Sequence, residues 1–278
     1  MPTLREKFFE SKKIKKDHVS ESDLRDLLIS INRLKSYTDL TVHFDDDIMD
    51  EIKYDDLFNR LQNGEMLQYL LNEASFLGDK YYVTNDVLIP RQETEQLVSL
   101  TIDYIKYNFE KQDLTIVDLC TGSGILAITL AREFRKSRVF ATDISEKAIE
   151  VAKKNNDKFN TNIDYFLGDF IEPILDKNIK SDVLICNPPY IENIEGIDKR
   201  TWEQEPHLAL LAKPGTKFYE IVIKNIDRLM NEHFLIAFEI GEDQVDRLTE
   251  VLEENNLSEC YRFQNDIYGK PRFLFIMK

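Results

Sequence analysis

The chain contains no apolar run approaching the roughly 20 residues that span a bilayer, so no membrane association is expected of its 278 residues. Its first stretch, MPTLREKFFESKKIKK, has neither the apolar segment nor the small-residue cleavage site of a secretory signal. Cysteine is scarce: Cys120, Cys186 and Cys260 are odd in number, far apart and without a CxxC pair. That pattern excludes a disulfide framework and a zinc knuckle, and it predicts reduced thiols in a cytoplasmic protein. The four histidines are scattered, so no metal site is expected. Basic residues are outnumbered too, 36 Lys and Arg against 51 Asp and Glu, for a net charge of −15. Proteins that grip nucleic acid directly draw most of their affinity from a basic face. Here the only basic concentration is Lys12, Lys13, Lys15 and Lys16, while Asp45, Asp46, Asp47, Asp50 and Glu51 form an acidic run that suits a solvated helix start. Direct nucleic-acid binding is therefore disfavoured. No internal repeat or low-complexity tract is evident.

What the chain does have is a change of period. The length allows one main domain and a smaller appendage. Residues 1–73 read as helical: after the N-cap stretch Ser20-Glu21-Ser22-Asp23, Leu24, Leu27, Leu28, Ile31 and Leu34 recur at helical spacing. A second helix is expected from about Asp47, through Ile48, Ile52, Leu57 and Leu61, to a stop at Gly64. Residues 74–90 then read as a hairpin linker, with Ala74–Leu77 and Lys80–Val83 around a Gly78-Asp79 turn. From 91 to 278 strand and helix signals alternate, which predicts an α/β domain on a mostly parallel, doubly wound sheet. Its five strands are expected at Leu114–Val117, Arg138–Thr142, Ile163–Phe166, Asp182–Cys186 and Phe234–Glu239, with helices such as Ser145–Asn155 and Lys217–Asn231 between them. The last two strands, Glu259–Phe263 and Arg272–Met277, have too short a connection for a parallel crossover and must pair antiparallel.

Two motifs carry chemistry. Asp118-Leu119-Cys120-Thr121-Gly122-Ser123-Gly124 sits where the first strand turns into a helix, and Asp143 ends the second strand. Glycines there let backbone approach a ligand, and an acid at the second strand end suits a ribose diol. Gly122 to Ala127 also fits the dinucleotide fingerprint. Both a nicotinamide dinucleotide and S-adenosylmethionine carry an adenosine, so this motif leaves the two open. The second motif decides. Asn187-Pro188-Pro189-Tyr190 follows the fourth strand, which in a doubly wound sheet neighbours the first at the switch point where ligands bind. An amide or aniline-like NH2 is a poor nucleophile because its lone pair is delocalised. Its methylation calls for acceptors on both N–H bonds, and Asn187 offers a side-chain carbonyl while Pro188 offers a backbone one. The prolines stiffen that loop, and Tyr190 offers a flat wall. Charge builds on nitrogen as the methyl arrives, so these dipoles act mainly in the transition state. A nicotinamide enzyme has no use for them. The residues thus predict a class I S-adenosylmethionine-dependent methyltransferase fold, with the small helical domain appended.

Asn-Pro-Pro-Tyr in this position resembles the signature of amino-group methyltransferases acting on adenine, guanine or glutamine. Leu88-Ile89-Pro90-Arg91-Gln92-Glu93-Thr94-Glu95 resembles the segment of the peptide chain release factor N5-glutamine methyltransferases, the PrmC/HemK family, in which proline is usual at Gln92. The similarity extends to Gln68-Tyr69-Leu70, to Glu205 through Leu210, to Gly241 with Gln244, and to Asp266, Gly269 and Arg272. It covers about residue 65 to the C-terminus; Asn72 stands for a usual glycine and Met66 for a usual proline. The resemblance implies that Asp118, Cys120, Thr121, Gly122, Ser123, Gly124, Asp143, Asp169, Phe170 and Asn187 surround S-adenosylmethionine. It also implies that Asn187, Pro188, Pro189, Tyr190 and Arg91 meet the substrate, the glutamine of a release factor's Gly-Gly-Gln motif, with Asn187, Pro188 and Tyr190 catalytic. Residues 1–73 would help dock that protein, and a monomer is expected. The competing substrates are a nucleic-acid base, or a glutamine of a ribosomal protein.

Overall fold

The structure, a computed structural model, describes residues 1–111 and 113–278. Five helices open the chain: α1 (Leu4–Ile14), α2 (Glu21–Ile31), α3 (Tyr37–Val42), α4 (Glu51–Gln62) and α5 (Leu67–Leu71). Their starts are written in the sequence. Thr3 with Glu6, and Ser20 with Asp23, form reciprocal capping boxes, while Asp50 accepts from the Lys53 amide. The expected second helix therefore begins at Glu51 instead of Asp47, because Asp50 is the residue placed to cap it. Leu24, Leu27, Leu28, Tyr54, Phe58 and Leu61 form the centre of the apolar core these helices share with Leu4 and Phe8. Within it Lys7 is buried, its ammonium set among Asp55 (2.7 Å), Glu51 (3.4 Å) and Glu10 (3.5 Å).

A two-stranded hairpin follows, β1 (Glu73–Phe76) and β2 (Asp79–Tyr82). Its turn is Leu77-Gly78, both at positive φ (49° and 81°), as a tight hairpin requires. The register thus lies one residue earlier than the Gly78-Asp79 turn expected from composition. The chain then alternates: α6 (Gln92–Asn108), β3 (Thr115–Leu119), α7 (Ile125–Glu133), β4 (Arg138–Asp143), α8 (Glu146–Phe159), β5 (Ile163–Leu167), α9 (Glu172–Asp176), β6 (Ser181–Cys186), α10 (Lys199–Gln204), α11 (Lys217–Lys224), α12 (Ile226–Leu229), β7 (Met230–Glu239), α13 (Val245–Glu254), β8 (Tyr261–Asn265) and β9 (Pro271–Met277). The sheet order is β5-β4-β3-β6-β7-β9-β8. Its first five strands are parallel, and β9 pairs antiparallel with both β7 and β8. The switch point lies between β3 and β6, whose register sets Leu119 opposite Cys186.

Strand alternation supplies the two faces of the sheet. Ile116, Val139, Ile185 and Leu235 pack with Leu97, Val98, Leu126 and Ala127 on one side. Val117, Phe140, Leu184 and Ile236 pack with Tyr219, Val222, Leu248 and Leu252 on the other. Each such side chain contributes on the order of 1.5–3 kcal/mol of burial. One expected helix, 217–231, is broken at Asn225, whose amide donates back to the Ile221 carbonyl; β7 then begins at Met230, ahead of the expected Phe234.

By contacts the chain forms two compact units, Met1–Glu73 with Lys199–Gln204, and Ala74–Asp198 with Glu205–Lys278. The short helix α10 thus packs with the N-terminal helices, although it lies far along the chain. Arg200 donates to the Gly64 and Glu65 carbonyls, and Gln204 bridges the Gly64 carbonyl and the Met66 amide. No helix among the described residues is long and apolar enough to cross a membrane.

Candidate active site

The site is built where apolar strands run out into polar residues. β3 ends at Leu119, and the chain turns through Cys120 (φ 58°), Gly122 (φ 54°) and Gly124 (φ 80°) before α7. At Gly122 a Cβ would meet open space, whereas at Gly124 it would sit 3.0 Å from the Ala152 Cβ. The first glycine keeps backbone bare toward the cavity, and the second lets α7 and α8 approach. Asp118, just inside the strand, is fully buried. Its Oδ2 accepts from Thr121 Oγ1 (2.6 Å) and the Ala127 amide (3.2 Å), while Oδ1 has no partner. Burial pushes this carboxyl up to about 7, with nearby Asp143 adding to the rise against those two hydrogen bonds. Asp143, at the end of β4, accepts from the Gly122 amide and the Ser145 amide, each at 2.9 Å. Burial raises its carboxyl as well.

A cavity of about 400 Å³ opens above these strand ends, within the usual range for a small-molecule site. Of the residues expected around a cofactor, Cys120, Thr121, Gly122, Ser123, Asp143, Asp169, Phe170 and Asn187 line it. Asp118 lies beneath it, and Gly124 serves the helix packing. Phe170 takes positive φ (45°) and packs edge-on against Phe218, so it belongs to the core and the cavity wall together. Phe218, Lys213, Lys217, Leu208, Ala209 and Leu211 line the cavity without having been singled out for it. A nucleoside cofactor suits this arrangement: apolar walls, a bare glycine turn, a carboxylate at the second strand end, and an unpartnered buried carboxyl oxygen beneath.

The second half of the site is the Asn187–Tyr190 loop after β6. Asn187 and Pro189 line the cavity, whereas Pro188 and Tyr190 do not. The Asn187 amide nitrogen donates to Thr94 Oγ1 (3.1 Å), and Thr94 donates in turn to Glu239 Oε2 (2.7 Å). The Tyr190 hydroxyl lies 3.4 Å from Glu239 Oε1, donating to it. Burial pushes the Glu239 carboxyl up to about 7, opposed first by the Thr94 hydrogen bond and then by Arg272. The loop backbone is held independently. Gln244 donates to the Tyr190 carbonyl and accepts from the Gly241 amide, and Ile191 bridges to Leu211. Burial pushes the Cys186 thiol up as well, so it stays protonated and packs as a small apolar residue.

Arg91, which the resemblance implies meets the substrate, occupies the N-cap position of α6 with no side-chain cap. Arg91 pairs through Nη2 with Glu205 Oε2 (2.5 Å) and does not line the cavity. Glu205 is buried and also accepts from the Ile89 amide, so this pair fastens the segment before α6 to the segment after α10. Glu239 escaped sequence reading, although an acid closing the apolar strand Phe234–Glu239, beside the strand that precedes Asn187, was a visible signal.

With this geometry in view, similarity to known proteins is informative. The chain matches the Methyltransferase small domain family over residues 100–205. It is 41% identical over 229 residues to a release factor glutamine methyltransferase of Mycoplasma mycoides subsp. mycoides SC, covering 81% of this chain and 80% of the relative. This chain belongs to the release factor glutamine methyltransferase family. The Staphylococcus aureus member is 35% identical over 242 residues, covering 85% of each chain. Among solved structures, the T. thermophilus 16S rRNA N2 G1207 methyltransferase in complex with AdoMet and guanosine aligns with a TM-score of 0.52 at 14% identity, over 74% of this chain and 49% of that one. That likeness speaks to the fold alone. Membership makes the chain an S-adenosylmethionine-dependent methyltransferase, and the choice left open by the glycine motif closes on that cofactor. Among the described residues no group of three or more His, Cys, Asp and Glu side chains is placed to hold a metal ion.

Proposed function

We propose that this enzyme, a member of the release factor glutamine methyltransferase family, methylates N5 of the glutamine in the Gly-Gly-Gln motif of peptide chain release factors. The observation that carries the reading is the orientation of Asn187: its amide nitrogen is turned to Thr94, so its carbonyl oxygen is the acceptor this cavity-lining side chain offers a substrate N–H. Bound S-adenosylmethionine supplies an electrophilic methyl on a sulfonium. The chain's part is to hold the acceptor. Asn187 Oδ1 accepts one N–H bond of the glutamine amide, and the Pro188 backbone carbonyl, next in the loop though outside the cavity wall, accepts the other; Pro189 borders the amide, and Tyr190 stiffens the loop from behind. So held, the amide nitrogen points its lone pair at the methyl carbon. Transfer would leave a cationic nitrogen that gives its extra proton to water, so no strong base is needed beside it. Asp143, Asp169 and Phe170 line the cavity and would hold the cofactor's ribose hydroxyls, adenine amino group and adenine ring respectively.

A glutamine side chain offers few atoms for selectivity, so remote contacts must orient it. The helical unit, residues 1–73, is assigned that docking role, and its acidic run would complement a basic partner surface. The test is direct. Purified enzyme, S-adenosylmethionine and a release factor are incubated, and the product is mapped by mass spectrometry. A methyl on the motif glutamine is expected. Transfer to an rRNA or DNA base, with the factor left unmodified, would overturn the assignment.

A further inference from the structure

Hydrogen-bond polarity at Asn187 is imposed from outside the acceptor motif. A threonine hydroxyl has one hydrogen to give and lone pairs to receive. Thr94 is buried between Glu239 Oε2 at 2.7 Å and the Asn187 amide at 3.1 Å. Glu239 as a carboxylate has no hydrogen, so it claims the one on Thr94. Thr94 can then only receive from Asn187, which fixes the Asn187 nitrogen toward α6 and its oxygen toward the cavity. Turned over, the amide would set its oxygen against a hydroxyl whose hydrogen is already taken, leaving two acceptors facing each other. Which end of an amide points which way follows from such partners and not from its shape.

We propose that Thr94 and Glu239 are positioning residues that set substrate specificity, locking the Asn187 amide so that the pocket accepts an N–H donor and rejects a carboxylate. The inference rests on the glutamine reading above. With Asn187 Oδ1 forward, a glutamine NH2 finds an acceptor, whereas a glutamate in its place meets lone pair with lone pair. Loss of the lock lets the amide turn, and its forward NH2 then welcomes glutamate and repels glutamine. Sites that demand a particular donor discriminate strongly because the wrong partner leaves buried groups unpaired. The Tyr190 hydroxyl on the other oxygen of Glu239 ties the same carboxyl to the far end of the loop.

The experiment compares wild type with Thr94→Val, Thr94→Ser and Glu239→Gln, using a release factor and the same factor with glutamate in the motif. It is run above pH 8, because burial and Glu93 raise the Glu239 carboxyl while Thr94, Arg272 and Tyr190 lower it, to about 7 in all. Wild-type turnover on the glutamine factor first establishes the substrate. Failure there sinks the functional reading and not this one alone. Titration in the presence of S-adenosylhomocysteine then gives the affinity ratio for the glutamine and glutamate factors. Wild type is expected to favour glutamine by roughly tenfold or more, and Thr94→Val to bring the ratio near unity with kcat reduced about tenfold or more. Cofactor affinity should change less than about twofold, and Thr94→Ser should restore both properties. Glu239→Gln, which can give as well as receive, should fall between and serves as the deciding variant if Thr94→Val fails to bind cofactor. An unchanged glutamine-to-glutamate ratio in folded Thr94→Val or Glu239→Gln would overturn the proposal, as would failure of Thr94→Ser to restore it.

Discussion

Arg91→Ala distinguishes a structural clamp from a substrate contact, and its size follows from the geometry. Glu205 has a side chain 0% exposed, and Arg91, 35% exposed, lies 2.5 Å from it. Removing one partner of a buried pair costs about 3–5 kcal/mol, because the other charge stays behind. Two features reduce that. The exposed side of Arg91 is screened by water, and the Ile89 amide, 3.3 Å from Glu205 Oε1, remains as a donor. The expected loss is therefore about 2–3 kcal/mol at pH 8. Burial already raises the Glu205 carboxyl, with Arg91 the first influence pulling it down; deleting Arg91 raises it further. A folded value above the unfolded one means that the penalty is absent below the unfolded carboxylate range and complete once pH passes the folded value. The variant should accordingly lose little stability near pH 4–5, by the roughly 4.3 of an unfolded glutamate, and the full amount at pH 8. Urea unfolding at both pH values reads this, and Arg91→Ala with Glu205→Gln should recover most of the loss in a double-mutant cycle. A pH-independent loss without rescue would refute the clamp. Wild-type stability with collapsed methylation of the release factor would make Arg91 a substrate contact after all.

Three other outcomes are expected of the same fold. Gly215→Ala would place a Cβ 2.6 Å from the Tyr190 carbonyl oxygen and 2.7 Å from Gln244 Nε2; by displacing the acceptor loop it should lower kcat roughly tenfold to a hundredfold while cofactor affinity, read by calorimetry, stays within about twofold. Unchanged turnover would show that the loop yields freely. Asp118 is held at about 7 by burial against 3.8 for a free aspartate, so wild-type stability should fall as pH rises through that interval, by up to roughly 4 kcal/mol. Asp118→Asn should show a shallower slope in denaturant unfolding at pH 5 and 8, and parallel slopes would refute the assignment. A chain beginning at Ala74 should bind S-adenosylmethionine and lose more kcat/KM on intact release factor than on a Gly-Gly-Gln peptide; equal losses would mean that the helices serve the catalytic fold instead of reading the partner.

Much of the fold was legible because it rests on local chemistry. Ser20 caps its helix by a side-chain bond within three residues, and the buried parallel strands read as apolar runs bounded by glycine or polar residues; among the clustered acids from Asp45 to Glu51, by contrast, only the structure shows that Asp50 is the cap. The short closing connection dictated β8 and β9 as an antiparallel pair. The illegible parts depend on partners distant in sequence. Nothing near Thr94 in the sequence announces its partner Glu239, which β7 brings to it from 145 residues away. Arg91 looks like a free cation until Glu205 arrives 114 residues on. Nothing in the short stretch Lys199–Gln204 announces that it packs with helices laid down at the start of the chain. Cofactor chemistry was readable for the opposite reason: glycines, Asp143 and the Asn-Pro-Pro-Tyr string act through backbone and side-chain atoms of a few consecutive residues at strand ends.

The strand ends also explain why the site tolerates unfavourable electrostatics. In β3 the apolar pair Ile116-Val117 leads to Asp118, and in β7 the apolar run Phe234–Phe238 leads to Glu239; each of these carboxyls is pushed up to about 7 by its own burial. A chain selected for stability alone would put an apolar residue at both positions, since a buried charge gains less from its partners than it loses in leaving water. The two carboxyls differ in what offsets that loss. Glu239 is answered within the protein, by Thr94, Tyr190 and Arg272, and so can impose a direction on Asn187 before any ligand arrives. Asp118 is answered only on Oδ2, by Thr121 and the Ala127 amide, while its Oδ1 stays without a donor. Substitutions at Glu239 should accordingly register in substrate choice, and those at Asp118 in stability and its dependence on pH.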